Sequence, residues 1–158
     1  MNIRKEMMIE KDIDAVWAVM GTQFAQVHLW SSNFFDSKPA GPAKFTGLDY
    51  SVRDTVTERG QTVQALDTFD ATNFALTYHI SKGAPKIAKR AAGMWSLKSI
   101  DKNSTTVIIE FIMETKGIIG FLLTPLIKLK INQASLEIAE ELKYYLEQGK
   151  AHPRNNVG

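Results

Sequence analysis

The side chains in this sequence with chemistry to offer are three histidines, the adjacent Arg53 and Asp54, Glu110 and a few serines. His28, His79 and His152 have no partner at metal-ligand spacing, so no metal site is expected. His79 follows Ala75 and Thr77 on the alternating side of a strand, which directs it to solvent; turned inward it would be a general base. Asp54 presents the same choice. If Leu48, Tyr50 and Val52 point inward, Asp54 follows them as a candidate acid or base with a raised pKa, unless the strand has bulged or ended before the Glu58-Arg59-Gly60-Gln61 turn. Glu110, between Ile108 and Ile112, belongs to the outer face of its strand as an exposed cross-strand charge. Ser31, Ser32 and Ser135 lack a triad context, and Gly117-Ile-Ile-Gly120 lacks the third glycine and the strand-to-helix setting of a dinucleotide loop. No cofactor is expected. No catalytic residue is assigned.

The elements that must position these groups read as one unit over residues 1–150, followed by a polar tail at 151–158. Apolar residues make up 44% and charged residues 23%, an ordinary globular composition. Absence of cysteine removes disulfides and thiolate chemistry and suits a reducing compartment, and the N-terminus has no apolar h-region, so a cytoplasmic location is expected. The run Ile118 to Ile131 is interrupted by Gly120, Thr124, Pro125, Lys128 and Lys130, which argues for a buried or interfacial helix rather than a membrane span. Residues 1–79 hold 7 basic against 10 acidic side chains, and residues 80–158 hold 12 against 7. No dense basic stripe with interleaved aromatics appears, so nucleic acid is not an expected partner.

Along the chain, residues 2–10 predict a strand. Asp12 predicts a helix N-cap, with Ile13, Val16, Trp17 and Met20 on one face; Gly21 ends that helix, and Thr22 caps a second short one in which Phe24 and Val27 face inward. The segment Ser31 to Phe45 breaks regular structure. Period-two alternation then predicts strands over 48–56, 62–69, 74–80, 91–99 and 105–115, joined by turns. A long helix is predicted from Thr124 as N-cap, with Pro125 at its first position, to Gly149 as the left-handed C-cap. Its apolar stripe is Ile127, Ile131, Ala134, Ile138, Leu142 and Tyr145, widened by Leu129, Leu136 and Leu146. The predicted class is α+β: a helix-grip fold, with a curved antiparallel sheet wrapped around the C-terminal helix.

That order resembles the START-like (SRPBCC) superfamily, whose bacterial members are labelled polyketide cyclase/dehydrase proteins. The resemblance spans roughly residues 2 to 150 and rests on the opening IEKDIDAVWAVM, Ser51-Val-Arg53, Tyr78, Lys82-Gly-Ala-Pro85, Gly93-Met-Trp95-Ser-Leu97, Thr105-Thr-Val107 and the closing helix. Where family members often carry an aromatic after the loop, this chain has Arg90-Ala91-Ala92. The resemblance implies an internal cavity between sheet and helix that takes a hydrophobic small molecule, lipid-like, aromatic or polyketide-like. Small residues Ala134 and Ser135 at mid-helix leave room for it. The expected lining is Tyr50, Val52, Tyr78, Trp95, Phe111, Met113, Ile131, Ser135 and Ile138. The alternative functions are a cyclase/aromatase-type enzyme using the same cavity, and an interaction module. Lys82, Lys86, Lys89 and Arg90 with Lys116, Lys128 and Lys130 outline a basic rim around the apolar Ile118–Leu123 patch, which suits transient contact with a membrane surface. A solvated loop beside a buried helix start is the plainer alternative.

Overall fold

The computed structural model describes residues 1–156, so Val157 and Gly158 of the expected tail lie outside the described residues. Seven strands form one antiparallel sheet: β1 (Asn2–Ile9), β2 (Asp36–Ala40), β3 (Val52–Thr57), β4 (Gly60–Asp70), β5 (Ala75–Lys82), β6 (Ala88–Asp101) and β7 (Ser104–Thr115). Their order across the sheet is β1-β7-β6-β5-β4-β3-β2. From β2 to β7 each strand pairs with its predecessor in a meander, while β1 crosses to the far edge and pairs with β7 from Asn2↔Ile112 to Ile9↔Thr105. Register shifts in β4, at Val63/Gln64 and Leu66/Thr68, and in β6, at Ala88/Arg90 and Ser99/Asp101, are bulges of the kind that bend a sheet. Its concave face is the one that alternation makes apolar: Leu66, Leu76, Tyr78, Trp95, Leu97, Val107 and Ile109 meet Leu142 in the core.

β2 lies inside the segment expected to be irregular. Pro39 sits at the sheet margin, opposite Arg53, where its missing N–H breaks no ladder, and an edge strand with Lys38 and Pro39 carries no hydrophobic alternation to read. Asp12 caps α1 (Ile13–Trp17) by accepting from the Ala15 amide at 2.9 Å. Gly21 does not end the helical path: a π-turn continues over Ala18–Thr22, and a 3-10 segment follows over Phe24–Leu29 with Gln23, not Thr22, at its N-cap.

The C-terminal helix α2 runs Gly117–Gln148, starting eight residues upstream of the predicted first position Pro125, and at 1.5 Å per residue it is roughly 48 Å long. Thr124 and Pro125 are interior; the Thr124 hydroxyl donates to the Gly120 carbonyl at 2.8 Å instead of capping a start. Gly149 has φ 69° and its amide bonds to the Tyr145 carbonyl at 3.0 Å, the expected left-handed stop. The helix lies along β1 and β7. Three polar ties fix it there: Lys5 Nζ to Asn132 Oδ1 at 2.7 Å, Lys143 Nζ to the Met8 carbonyl at 2.7 Å, and the Glu10 amide to Glu147 Oε1 at 2.9 Å. Leu129 and Leu136, expected on the buried stripe, are exposed. After α2 the tail turns through Pro153–Asn156 and returns to the helix, where Arg154 pairs with Glu140 at 2.6 Å and approaches Glu141 at 3.6 Å.

Candidate functional site

Two charged side chains are fully buried among the described residues, Arg53 and Glu141, and they are treated differently. Glu141 accepts hydrogen bonds from the amide and hydroxyl of Ser32 and has Arg154 as a counter-ion, so its charge is matched. Arg53 has no carboxylate within ion-pair distance among the described residues. Its Nε and Nη2 donate to Gln64 Oε1 at 2.9 and 2.7 Å, and Nη1 donates to the Phe24 carbonyl at 2.7 Å. These are neutral acceptors, and they occupy three of the guanidinium's five N–H groups.

Four aromatic rings enclose the cation. Its central carbon lies 3.7 Å from the Phe24 ring centroid, 5.1 Å from Trp95, and 5.3 Å from both Phe34 and Tyr78. Each ring face adds attraction of about 0.5 to 2 kcal/mol, which offsets part of a desolvation penalty of several kcal/mol. Burial lowers the Arg53 pKa to about 10, with the Tyr78 and Tyr50 phenols opposing that shift. Burial likewise raises both phenols, Tyr78 and Tyr50, while Arg53 pulls each back down. The guanidinium therefore stays charged at neutral pH in an apolar box.

Local sequence explains the placement. A bend at Ser51 precedes β3, so the strand enters with Arg53 and Thr55 inward and Asp54 and Val56 outward. Val52, expected on the cavity wall, consequently lies on the opposite face from Arg53; the alternation that Leu48 and Tyr50 suggested does not carry through the bend. The Tyr50 hydroxyl donates to the Thr22 carbonyl at 2.9 Å and accepts from the Ala25 amide at 3.0 Å, tying the strand entrance to the irregular helices. Gly93 is required where the Tyr78 ring lies on β6, since a Cβ there would stand 2.4 Å from Tyr78 Cζ. Trp95 completes the wall at 5.4 Å from Phe24 and 6.3 Å from Trp30.

Of the expected lining, Tyr50, Tyr78 and Trp95 converge around Arg53. Phe111 and Met113 extend the same concave face along β7, and Ile131, Ser135 and Ile138 sit on the helix face that carries the buried Leu142. Phe111, on the inner face of β7, is only half-buried. Phe24 and Val27 are buried as the second short helix predicts, whereas Arg53, Gln64, Trp30 and Phe34 are interior without having been expected there. The one signal available was the Arg53/Thr55 alternation. Ser31 Oγ, Ser51 Oγ and His28 Nδ1 are buried without a hydrogen-bond partner among the described residues. His79 is on the outer face, with Nδ1 2.8 Å from Asp67 Oδ1, and Glu110 pairs across strands with Arg4 at 3.0 Å. A depression of about 420 Å³ is lined by Asp67, Thr77, Tyr78, Arg90, Ala92, Gly93, Met94 and Ile112, and Arg53 is not part of its lining.

No protein-family profile matches the chain, and no curated protein matches it in sequence. Solved structures do match in shape. A START superfamily protein from Mycobacterium smegmatis superposes with a TM-score of 0.75 at 14% identity over 94% of this chain and 99% of that one. The Zhui aromatase/cyclase from a Streptomyces species gives 0.74 at 13% identity over 94% of each. A protein from Thermus thermophilus gives 0.73 at 14% identity over 94% and 99%. Likeness at this identity is a likeness of fold, and together with the seven-stranded sheet gripping α2 it makes this chain a START-like helix-grip fold.

Proposed function

We propose that the chain binds a hydrophobic small molecule, aromatic or lipid-like, between the concave face of the sheet and α2, with Arg53 meeting an oxygen-bearing polar end of that molecule. The observation that carries this reading is the buried guanidinium with neutral acceptors and no carboxylate. A buried cation kept without a counter-ion costs stability, and such residues concentrate at functional sites. A ligand carboxylate, phenolate or polarised carbonyl supplies the missing partner. The walls differ in stiffness. Tyr78 and Trp95 stand on central strands, whereas Phe24, Trp30 and Phe34 stand on the π-turn, 3-10 and loop stretch in which Gln26 departs from helical geometry. Entry proceeds by displacement of the second set.

Native mass spectrometry of freshly purified protein identifies any molecule it retains, and a fluorescence titration with 1-anilinonaphthalene-8-sulfonate, an aromatic anion, tests the anchor. The expected result is saturable binding that Arg53→Met weakens at least tenfold, with most of the tryptophan response removed in Trp95→Phe and the response kept in Trp17→Phe. Equal affinity of wild type and Arg53→Met overturns the reading.

A cyclase- or dehydrase-type enzyme in the same interior is the second reading, favoured by the Tyr78 phenol beside Arg53, which puts two polar groups at one point. It predicts that Tyr78→Phe abolishes conversion of a bound polyketide-like compound while leaving its affinity intact.

A further inference from the structure

The first half of α2 is apolar on both sides. Gly120, Thr124, Ile127 and Ile131 face the sheet, while Ile118, Phe121, Leu122 and Leu129 stand out with 80, 77, 68 and 64% of their surfaces exposed. At roughly 100° per residue, Ile118, Leu122, Leu126 and Leu129 form one outward stripe, and Lys128 and Lys130 project roughly 100° to either side of it. No acidic residue occurs between Glu114 and Glu137. The helix start has neither an acidic first turn nor a side-chain cap, so the positive end of its dipole adds to the lysines. Sequence alone left the loop after β5 unplaced. The structure joins it to this helix: the Lys116 amide donates to the Ile87 carbonyl at 2.8 Å, which brings the loop carrying Lys86 and Lys89 against the first turn.

We propose that this end of the molecule docks on an anionic lipid surface, with the Ile118, Leu122 and Leu129 stripe in the acyl boundary and the flanking lysines at the headgroups. A helix apolar all round is stable when buried or when one face meets lipid, and the outward face of α2 is not covered by the other described residues. Among the described residues no helix is long and apolar enough to cross a membrane, so the segment lies on the surface. Charge decides between occupants. A second copy would bring lysine-flanked stripes together with no acid on α2 between Gly117 and Lys130 to pair them, whereas an anionic bilayer complements Lys116, Lys128 and Lys130; Lys89 already has Glu114 at 3.9 Å.

Flotation with phosphatidylcholine vesicles, with and without about 30 mol% phosphatidylglycerol, tests this directly. Binding is expected to be at least tenfold tighter to the anionic vesicles and to fall at least tenfold between about 50 and 500 mM salt. Lys128→Glu/Lys130→Glu and Leu122→Ser/Leu129→Ser each lose at least tenfold while keeping the wild-type melting temperature, because all four positions are exposed. Equal or absent binding to both vesicle types overturns the proposal. So does a dimer in sedimentation equilibrium that Leu122→Ser/Leu129→Ser dissociates without any vesicle binding, which gives the face to a second copy. Neither double variant touches Arg53 or Trp95, so failure here leaves the ligand reading standing, and the reverse holds.

Discussion

Replacing Arg53 by methionine, alone and with Gln64→Leu, separates what the buried guanidinium does for the fold from what it does for a ligand. A folded value lowered by burial to about 10 from the ordinary guanidinium range puts the cost of keeping this group charged at about 3 kcal/mol. Methionine fills a similar volume and returns that amount. It also strands Gln64 Oε1 and the Phe24 carbonyl, at about 1 to 3 kcal/mol each. The single variant is therefore expected to lose about 1 kcal/mol, the small difference between opposed quantities. Gln64→Leu removes one stranded acceptor and returns the double variant to within about 1 kcal/mol of wild type, or above it. Urea melts with unchanged m-values measure all three proteins. A single variant that loses more than about 5 kcal/mol, with no recovery in the double, refutes the reasoning and makes the guanidinium a keystone of the fold. The expected result is two folded proteins that bind an aromatic anion at least tenfold more weakly than wild type.

Leu142, with no exposed surface at the centre of the core, is expected to cost about 2 to 5 kcal/mol as Leu142→Ala, whereas Glu140→Ala, which removes an exposed pair with Arg154, moves the thermal midpoint far less. Gly93→Ala drives a methyl into the Tyr78 ring and should lose about 1 to 3 kcal/mol in urea; adding Tyr78→Leu should recover part of it, and no recovery would mean that the strain lies elsewhere. The Tyr50 and Tyr78 phenols, raised by burial, should ionise above pH 10 in the folded protein, read as late phenolate absorbance that Tyr78→Phe reduces. Between pH 10 and those raised values the unfolded chain has released protons that the folded protein keeps. Their stabilisation is thus complete below pH 10 and is lost as pH climbs through the folded values. Arg53, lowered to about 10, acts in the opposite sense above that pH, so Arg53→Met should make the alkaline decline steeper.

What the sequence made legible follows from which physics is local. Alternation in β4 to β7 is visible because each has one face against the core and turns of a few residues between, and the Asp12 cap and Gly149 stop are read from single side chains. Three features were set by packing at a distance. At Ser51 the chain bends, and one residue of phase moves Arg53 into the interior and Val52 out of it, a reversal that period-two counting cannot register across a break. β2 exists because β3 offers it an edge. The start of α2 was placed at Thr124-Pro125 because that pair is a strong start signal. Inside the helix the same threonine instead satisfies Gly120 through its side chain, and Pro125 withholds a single amide from the carbonyl of Phe121. An interior proline costs about 3 kcal/mol, and the turns upstream of it are held where Gly120 fits closely over Thr115 and the Lys116 amide donates to Ile87. Extending the helix also puts Ile118, Phe121 and Leu122 outside, a result that burial of apolar surface within this chain does not favour. A helix lengthened in that direction gains stability from its surface only where the surface meets something other than water, and its lysine-flanked stripe makes an anionic bilayer the occupant to test.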